Sequence, residues 1–197
     1  QGSASDNYGV VSAGTTGLPE DAPFAGLVVV DCTNLDVQDG VAVYGAAFGG
    51  QRRYTFFHGL QVINTTSDIN NFAFSTSGNS EVVGCSGEQG SHFVDCIRTE
   101  NTEISRNFVW GPTGRGTSSC IKMANENSIA TNNSVHSNIL IRVGSDAGNS
   151  GHFALQAFEC DGVKFLNNTI IGMVTDGMGI LGDTIGSENI TVRNNIF

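Results

Sequence analysis

Short runs of β-forming residues interrupted by asparagine recur along this 197-residue chain. The clearest examples are SIATNNSVH at residues 128–136, GVKFLNNTIIG at 162–172 and NITVRNNIF at 189–197, each with two adjacent asparagines. A looser version, EISRNFVW at residues 103–110, contains the single Asn107. Recurrence at related spacing predicts a repeat protein, in which each unit buries its apolar face against its neighbours.

The repeat is aligned on the apolar residue that precedes each asparagine position. Each unit holds two or more short β runs, and no stretch has convincing helical periodicity. We therefore predict an all-β solenoid of about seven coils over residues 27–197, with residues 1–26 as an N-terminal extension or cap. A β-sandwich is the alternative, because evenly spaced short strands also fit that fold. The alignment anchors are Val37, Val62, Val82, Ile104, Ala130, Phe165 and Val192. Of these, Phe165, Ile104, Val192, Val62 and Val37 are expected to stack inside the solenoid.

The recurrent asparagines have a predicted structural role. Equivalent residues of successive coils stack at the strand spacing of about 4.8 Å. Asparagine tolerates the left-handed backbone conformation of a sharp bend, and stacked asparagine side chains can hydrogen-bond along the axis. We predict one ladder at one corner, formed by Asn107, Asn133, Asn168 and Asn195.

Charge and cysteine content exclude several classes of protein. Nine lysines and arginines stand against nineteen aspartates and glutamates, and the net charge of −10 argues against a nucleic-acid partner. The same charge is compatible with calcium, or with a glycan held through a metal. No apolar run of about 18 residues exists, so no membrane insertion is predicted. The cysteines form no CxxC pair and are predicted to be small buried apolar residues: Cys32, Cys85, Cys96, Cys120 and Cys160.

Three segments with similar endings, residues 91–101, 117–127 and 151–161, suggest a register for one sheet. One alternating set is mostly apolar and is predicted to face the core: Phe93, Asp95, Ile97, Ser119, Ile121, Met123, Phe153, Leu155 and Ala157. The other is predicted to face outward: His92, Cys96, Arg98, Ser118, Cys120, Lys122, His152, Gln156 and Phe158. Asp95 is the exception on the apolar set. It is either a buried, hydrogen-bonded carboxylate beside a bend or evidence that the register slips by one residue.

The repeats, which read approximately as Asn-ϕ-x-ϕ-x-x-Asn-x-ϕ, resemble those of the right-handed parallel β-helix of the pectate-lyase-like superfamily. The resemblance covers about residues 27–197. It implies a protein outside the cell, or on a cell or virion surface, that binds a polysaccharide along an external sheet.

The candidate site residues follow from that resemblance and from the outward set. The candidate catalytic residues are Lys122, Arg98, His92 and His152, with Gln156 and Phe158 as substrate-binding residues. Arg98 and Lys122 would neutralise a uronate carboxylate, or Lys122 would remove an α-proton as a base, while Phe158 would stack on a sugar face. An ordinary solvated sheet face is the alternative.

Carboxylates offer a second kind of site. Asp176 and Asp183 flank the sequence GMGIL and are candidate Ca²⁺ ligands, because calcium takes several oxygen ligands. Asp31, Asp36 and Asp39 crowd the first predicted coil in the same way. Turn formation is the alternative role for all five.

Two functions remain open at the level of sequence. The motifs Arg-x-Pro-x-x-Arg of pectate lyases, Gly-His-Gly of polygalacturonases and Asp-Pro-His of mannuronan epimerases are absent. The chain is therefore expected to be either a polysaccharide lyase or epimerase acting on uronate-containing glycan, or a non-catalytic structural or adhesive module. Because VRNNIF stops at the asparagine corner, we expect the solenoid to continue beyond Phe197, to be capped by another chain, or to self-associate.

Overall fold

The computed structural model describes residues 8–13, 28–30, 35–36, 41–46, 52–53, 56–59, 61–63, 70–75, 77–89, 92–111, 119–124, 130–143, 153–172, 177–182 and 186–197. Within these ranges the chain forms strands, isolated bridges and bends, and no helix. In chain order the strands are β1 (Tyr8–Ala13), β2 (Val28–Val30), β3 (Leu35–Asp36), β4 (Val41–Ala46), β5 (Arg52–Arg53), β6 (Phe56–His58), β7 (Gln61–Ile63), β8 (Asn70–Ser75), β9 (Ser77–Gly78), β10 (Glu81–Val83), β11 (Ser86–Glu88), β12 (Val94–Ile97), β13 (Glu103–Ser105), β14 (Phe108–Trp110), β15 (Ile121–Ala124), β16 (Ala130–Thr131), β17 (Ser134–His136), β18 (Ile139–Ile141), β19 (Leu155–Phe158), β20 (Cys160–Asp161), β21 (Lys164–Leu166), β22 (Thr169–Ile171), β23 (Met178–Leu181) and β24 (Thr191–Arg193).

Three parallel sheets organise these strands. Sheet A has the order β1-β4-β8-β12-β15-β19-β23, sheet B the order β2-β6-β10-β13-β17-β21-β24, and sheet C the order β22-β18-β14-β11-β7-β3. Two further two-stranded ladders pair β16 with β20 and β5 with β9. Successive strands such as β12, β13 and β14 enter sheets A, B and C in turn, and each pairs in parallel with the strand one repeat later. The architecture is all-β and consistent with a parallel β-solenoid, rather than with an antiparallel sandwich.

The core consists of rows of apolar side chains, one from each successive strand. In sheet B, Phe57, Val82, Ile104, Val135 and Phe165 lie in register and are fully buried. The predicted anchors Val82, Ile104 and Phe165 belong to this row, and Val192 is in register with Phe165 but is 41% exposed.

Two other anchors were assigned to the wrong row. Val62 pairs with Gly87 in sheet C, and Ala130 lies in β16, so that Val135 holds the position expected for Ala130. Both errors arise because each repeat contains several short apolar runs of similar appearance. Val37 lies outside the described residues. The strand β1 falls inside the predicted N-terminal extension and pairs with β4 in sheet A.

The corners between the sheets are built from single residues in the left-handed region. Asparagine, glycine, arginine, serine and glutamate all occur there, with φ between 48° and 72°. The residues after the sheet B strands are Gly59, Gly84, Arg106, Ser137, Asn167 and Asn194. Those before the sheet B strands are Asn79, Asn101, Asn132, Gly162 and Asn189. One such residue per corner turns the chain from one sheet into the next.

An asparagine ladder lies directly after the left-handed residues that follow sheet B. Asn107 Nδ2 donates to Asn138 Oδ1, Asn138 Nδ2 to Asn168 Oδ1, and Asn168 Nδ2 to Asn195 Oδ1, each at 2.9 Å. The predicted ladder is confirmed for Asn107, Asn168 and Asn195. The assignment of Asn133 was wrong, because Asn133 lies before its sheet B strand, where its Oδ1 accepts from Thr102 N at 2.9 Å.

The described cysteines are buried thiols, as predicted. Cys85, Cys96, Cys120 and Cys160 are free and at most 1% exposed. Cys32 lies outside the described residues.

Candidate functional site

The outer face of sheet A carries a row of polar side chains across three neighbouring strands. Asp95 on β12 is in register with Lys122 on β15, which is in register with Gln156 on β19. The flanking positions on the same strands point inward, as the fully buried Val94, Ile121 and Leu155 show. The row therefore lies on the side of the sheet away from the core. We call Asp95, Lys122 and Gln156 the polar row.

The position of Asp95 settles the register of β12. The predicted alignment between the first two segments was wrong by one residue, so that Asp95 faces outward and Cys96 belongs to the inward row with Met123 and Ala157. The cause lies at the following corner. Glu100 bridges to Thr131, and Asn132 Nδ2 donates to Asn101 Oδ1 at 2.8 Å. The Glu-Asn of residues 100–101 is thus equivalent to residues 131–132, and not to the Glu-Asn of residues 126–127.

Hydrogen bonds and one ion pair hold the polar row. Lys122 Nζ lies 3.7 Å from Asp95 Oδ1, with side-chain exposures of 23% and 11%. Ser119 Oγ donates to Gln156 Oε1 at 2.7 Å and accepts from Phe153 N at 3.0 Å. Ser119 was predicted to face the core. It is buried, but its hydroxyl serves the polar row.

A second row runs parallel to the polar row, two residues further along each strand. It consists of Ile97, Ala124, Phe158 and Leu181, which are in register on β12, β15, β19 and β23. Ile97, Phe158 and Leu181 are partly exposed, whereas Ala124 is buried. We call these four residues the apolar row. Polar groups beside an aromatic ring on one flat surface can bind a ligand that has both hydroxyls and apolar faces.

The structure places three of the predicted site residues on one sheet face and two others at the ends of β12. Lys122, Gln156 and Phe158 share the outer face of sheet A. His92 precedes β12 and is only 9% exposed. Arg98 is exposed, but it occupies the left-handed corner after β12, with φ of 57°.

Other predictions are wrong or fall outside the described residues. Cys96 and Cys120 were expected to face outward, and both are fully buried. Burial raises the pKa of both thiols well above the ordinary value, so neither is a ready nucleophile. His152, Ser118, Asp31, Asp39, Asp176 and Asp183 lie outside the described residues. In the described part of the chain, no group of three or more His, Cys, Asp or Glu residues is arranged to hold a metal ion.

Sheet B carries a second cluster, which the sequence did not reveal. Glu81 and Glu103 are in register on β10 and β13. His58 Nε2 lies 2.8 Å from Glu81 Oε2, and His136 Nε2 lies 3.2 Å from Glu103 Oε1. Ser105 Oγ also donates to Glu103 Oε1, at 2.6 Å. The available signal was the glutamate that opens both EVV and EIS, one repeat apart.

The outer face of sheet C is apolar, in contrast to the charged cluster of sheet B. Phe108, Ile139 and Ile171 are 43%, 43% and 50% exposed, and Phe108 packs against Trp110 with ring centroids 5.8 Å apart. Trp110, Ile141 and Ile171 are in register on β14, β18 and β22. Phe108, Trp110, Ile139, Ile141 and Ile171 together form an apolar strip.

Comparison with known proteins identified no relative. No protein-family model, curated protein or solved structure matches this chain. Among the residues that the structure describes, no helix is long and apolar enough to cross a membrane.

Proposed function

We propose that this protein is a glycan-binding β-solenoid and that the outer face of sheet A is its binding surface. The observation that carries the proposal is the polar row beside the apolar row on one outward sheet face. We further propose a right-handed coil of about seven turns, as in the pectate-lyase-like superfamily that the repeats resemble, and a location outside the cell or on a cell or virion surface.

The two rows suit the two kinds of surface that a sugar presents. Lys122 Nζ and the amide of Gln156 would bind hydroxyl or carboxylate oxygens, while the ring of Phe158 would stack against the apolar face of a pyranose. Asp95 holds the Lys122 ammonium from one side. A uronate carboxylate on the other side would therefore bind to a positioned cation.

Binding without turnover is the form of this function that the geometry favours. A lyase or epimerase needs a base within hydrogen-bond reach of the α-proton. Lys122 is in an ion pair with Asp95, and the side chain of His92 is almost buried. Neither is presented to solvent as an unpaired base. Incubation with uronate polymers should therefore give no new absorbance from an unsaturated product.

The direct test is binding of oligosaccharides to the protein by isothermal titration calorimetry. Uronate and neutral oligosaccharides would be compared. Phe158→Ala should weaken binding about three- to tenfold, because it removes one stacking contact, and Gln156→Ala and Lys122→Met should also weaken it.

The matched controls replace the same residue types elsewhere on the surface. Phe108→Ala changes a ring on sheet C, and Lys164→Ala removes an exposed lysine of sheet B that hydrogen-bonds to Asn132 Oδ1. Both should bind like the wild type. Equal losses in the sheet A variants and the controls would refute the proposal.

A second candidate function is a non-catalytic structural or adhesive module, which the apolar strip of sheet C favours. Parallel sheets are usually covered on both faces, and their strands then read as nearly continuous apolar runs. The runs FVW, ILI and TII of β14, β18 and β22 fit that description. Light scattering should then show an oligomer that Ile139→Lys dissociates. A monomer at all concentrations would remove this candidate.

Calcium remains part of the proposal through Asp176 and Asp183. If they ligate Ca²⁺, the melting temperature should rise with added calcium, since a ligand that binds only the folded state stabilises it. The double variant Asp176→Asn with Asp183→Asn should not respond.

A further inference from the structure

The polar row ends abruptly at β23. The position in register with Gln156 is Gly179, which offers no side chain. A Cβ atom placed on Gly179 would lie 2.4 to 2.5 Å from three ring atoms of Phe153. The phenyl ring therefore occupies the space that the next outward side chain of the row would fill.

Lack of room for a side chain explains why residue 179 is a glycine. The φ of Gly179 is not in the left-handed region, because the described glycines with positive φ are Gly59, Gly84, Gly162, Gly172 and Gly186. Glycine inside a strand weakens it, and often marks a close approach of another group. Here that group is the Phe153 ring, which is itself only 7% exposed.

The polar row begins at Asp95 on β12, because the position in register on β8 is Ala73. Asp95 is 8% exposed, and its Oδ1 faces the ammonium of Lys122. The accessible polar groups are consequently those of Lys122 and Gln156, on adjacent strands about 4.8 Å apart. The face thus offers a short polar segment between the nearly buried carboxylate of Asp95 and the Phe153 ring, which fills the side-chain space at Gly179 and which we call the wall.

We propose that Phe153 is a specificity-determining residue that closes the binding face at β23, so that the site takes the end of a glycan chain or a short oligosaccharide. This inference rests on the proposed glycan-binding function and states which part of the glycan the site recognises. A chain lying along the solenoid axis over Lys122 and Gln156 would meet the ring above Gly179. One terminus of the glycan would therefore abut Phe153, and further sugar units at that end would have no place.

The experiment measures affinity against glycan length and against the position of a bulky tag. A series from disaccharide to hexasaccharide of the best-binding glycan is titrated into the wild type. Affinity should reach a plateau at the short members of the series. A bulky aromatic tag at one terminus should abolish binding, while the same tag at the other terminus is tolerated.

Two substitutions at Phe153 reduce the size of the side chain to different degrees. Phe153→Ala should restore binding of the blocked tagged glycan and strengthen binding of the hexasaccharide about tenfold relative to the disaccharide. Phe153→Leu keeps a buried apolar side chain and should give a smaller change of the same sign. Circular dichroism checks that each variant is folded. The tag comparison on the wild type tests the wall even if both variants unfold.

The control Phe158→Ala distinguishes the effect of Phe153 on glycan length from the general affinity of the binding face. It should weaken all lengths by a similar factor and leave the tag preference unchanged. If affinity keeps rising through the hexasaccharide and both tags are tolerated, the proposed role of Phe153 is wrong, whereas the proposed glycan binding is not contradicted. No binding of any glycan to the wild type would overturn both.

Discussion

The adjacent asparagines of each repeat have different tasks, although they look alike in sequence. The first of each pair, Asn132, Asn167 or Asn194, is exposed and adopts a left-handed φ of 54° to 55°. The second extends the hydrogen-bond pattern of a corner. For Asn168 that pattern is complete, since its amide accepts from Asn138 and donates to Asn195 Oδ1 and to Val135 O. A buried amide with all its groups paired stabilises the corner and fixes its geometry.

The missed ladder residue shows what the sequence could have revealed. The ladder asparagines follow the buried sheet B residue by three positions, as in Ile104 to Asn107 and Val135 to Asn138. Asn138 follows a serine, so the pattern of adjacent asparagines points to Asn133 in this repeat. Spacing from the core row identifies Asn138 only when Val135, and not Ala130, occupies that row.

We predict that Asn138→Ala destabilises the protein by about 2 to 4 kcal/mol. The substitution leaves the buried backbone N–H of Asn107 and the carbonyl oxygen of Ile104 without their partners, and each unsatisfied group costs about 1 to 3 kcal/mol. The free energy of unfolding would be measured in urea. Asn167→Gly is the matched control, because it keeps a residue suited to positive φ and should change stability by less than about 1 kcal/mol. Similar losses in the two variants would contradict the ladder's role.

At the level of elements, the sequence predicts the alternation of side chains within a strand, but it does not predict the alignment between strands. The inward positions Ile121, Met123, Leu155 and Ala157 were assigned correctly from the apolar alternation. The β12 strand was displaced because Glu100 and Asn101, which follow it, are equivalent to residues 131–132 and not to residues 126–127. A slip of one residue moves every side chain of a strand to the opposite face. The residues between strands have little apolar periodicity. Periodicity alone therefore cannot determine how many residues separate two strands.

The corrected register predicts an energetic coupling between Asp95 and Lys122. A double-mutant cycle with Asp95→Asn and Lys122→Met should give a coupling of about 0.5 to 1 kcal/mol, the range for partly exposed ion pairs. The coupling should shrink in high salt. The measurement is urea unfolding of the four proteins. A parallel cycle between Asp95 and Lys164, which lies on sheet B, should give no coupling. Zero coupling in the first cycle would contradict the register at β12.

At the scale of the whole molecule, each outward sheet face has its own chemistry over a shared core. Sheet B presents histidine–glutamate pairs, sheet C an apolar strip, and sheet A a mixed face. The sequence predicted the parallel strands and most core positions because burial imposes a strict alternation. It could not predict which outward residues meet, since the Glu81–His58 and Ser119–Gln156 contacts join residues one repeat apart. Those contacts depend on the register of whole strands.

The buried thiols make the stability of the molecule sensitive to alkaline pH. Burial raises the pKa of Cys160 from 9.0 to about 11, and the thiol donates to Met123 O at 3.1 Å. The unfolded chain therefore loses this proton at lower pH than the folded protein does. A group whose folded pKa is raised stabilises the protein fully below its unfolded pKa, and that stability is lost as the pH rises from about 9 towards 11.

We therefore predict that Cys160→Ala reduces the loss of stability at high pH. At about pH 10 the difference in thiol pKa should cost the wild type about 1.4 kcal/mol relative to pH 8, in addition to whatever other groups contribute. The variant lacks this contribution, although it is less stable at neutral pH because it leaves a small cavity. Urea unfolding of both proteins at the two pH values gives the comparison, and the tyrosines and lysines common to both cancel in the difference. If the wild type and Cys160→Ala lose the same free energy of unfolding between the two pH values, the thiol is not protected by burial as the structure implies.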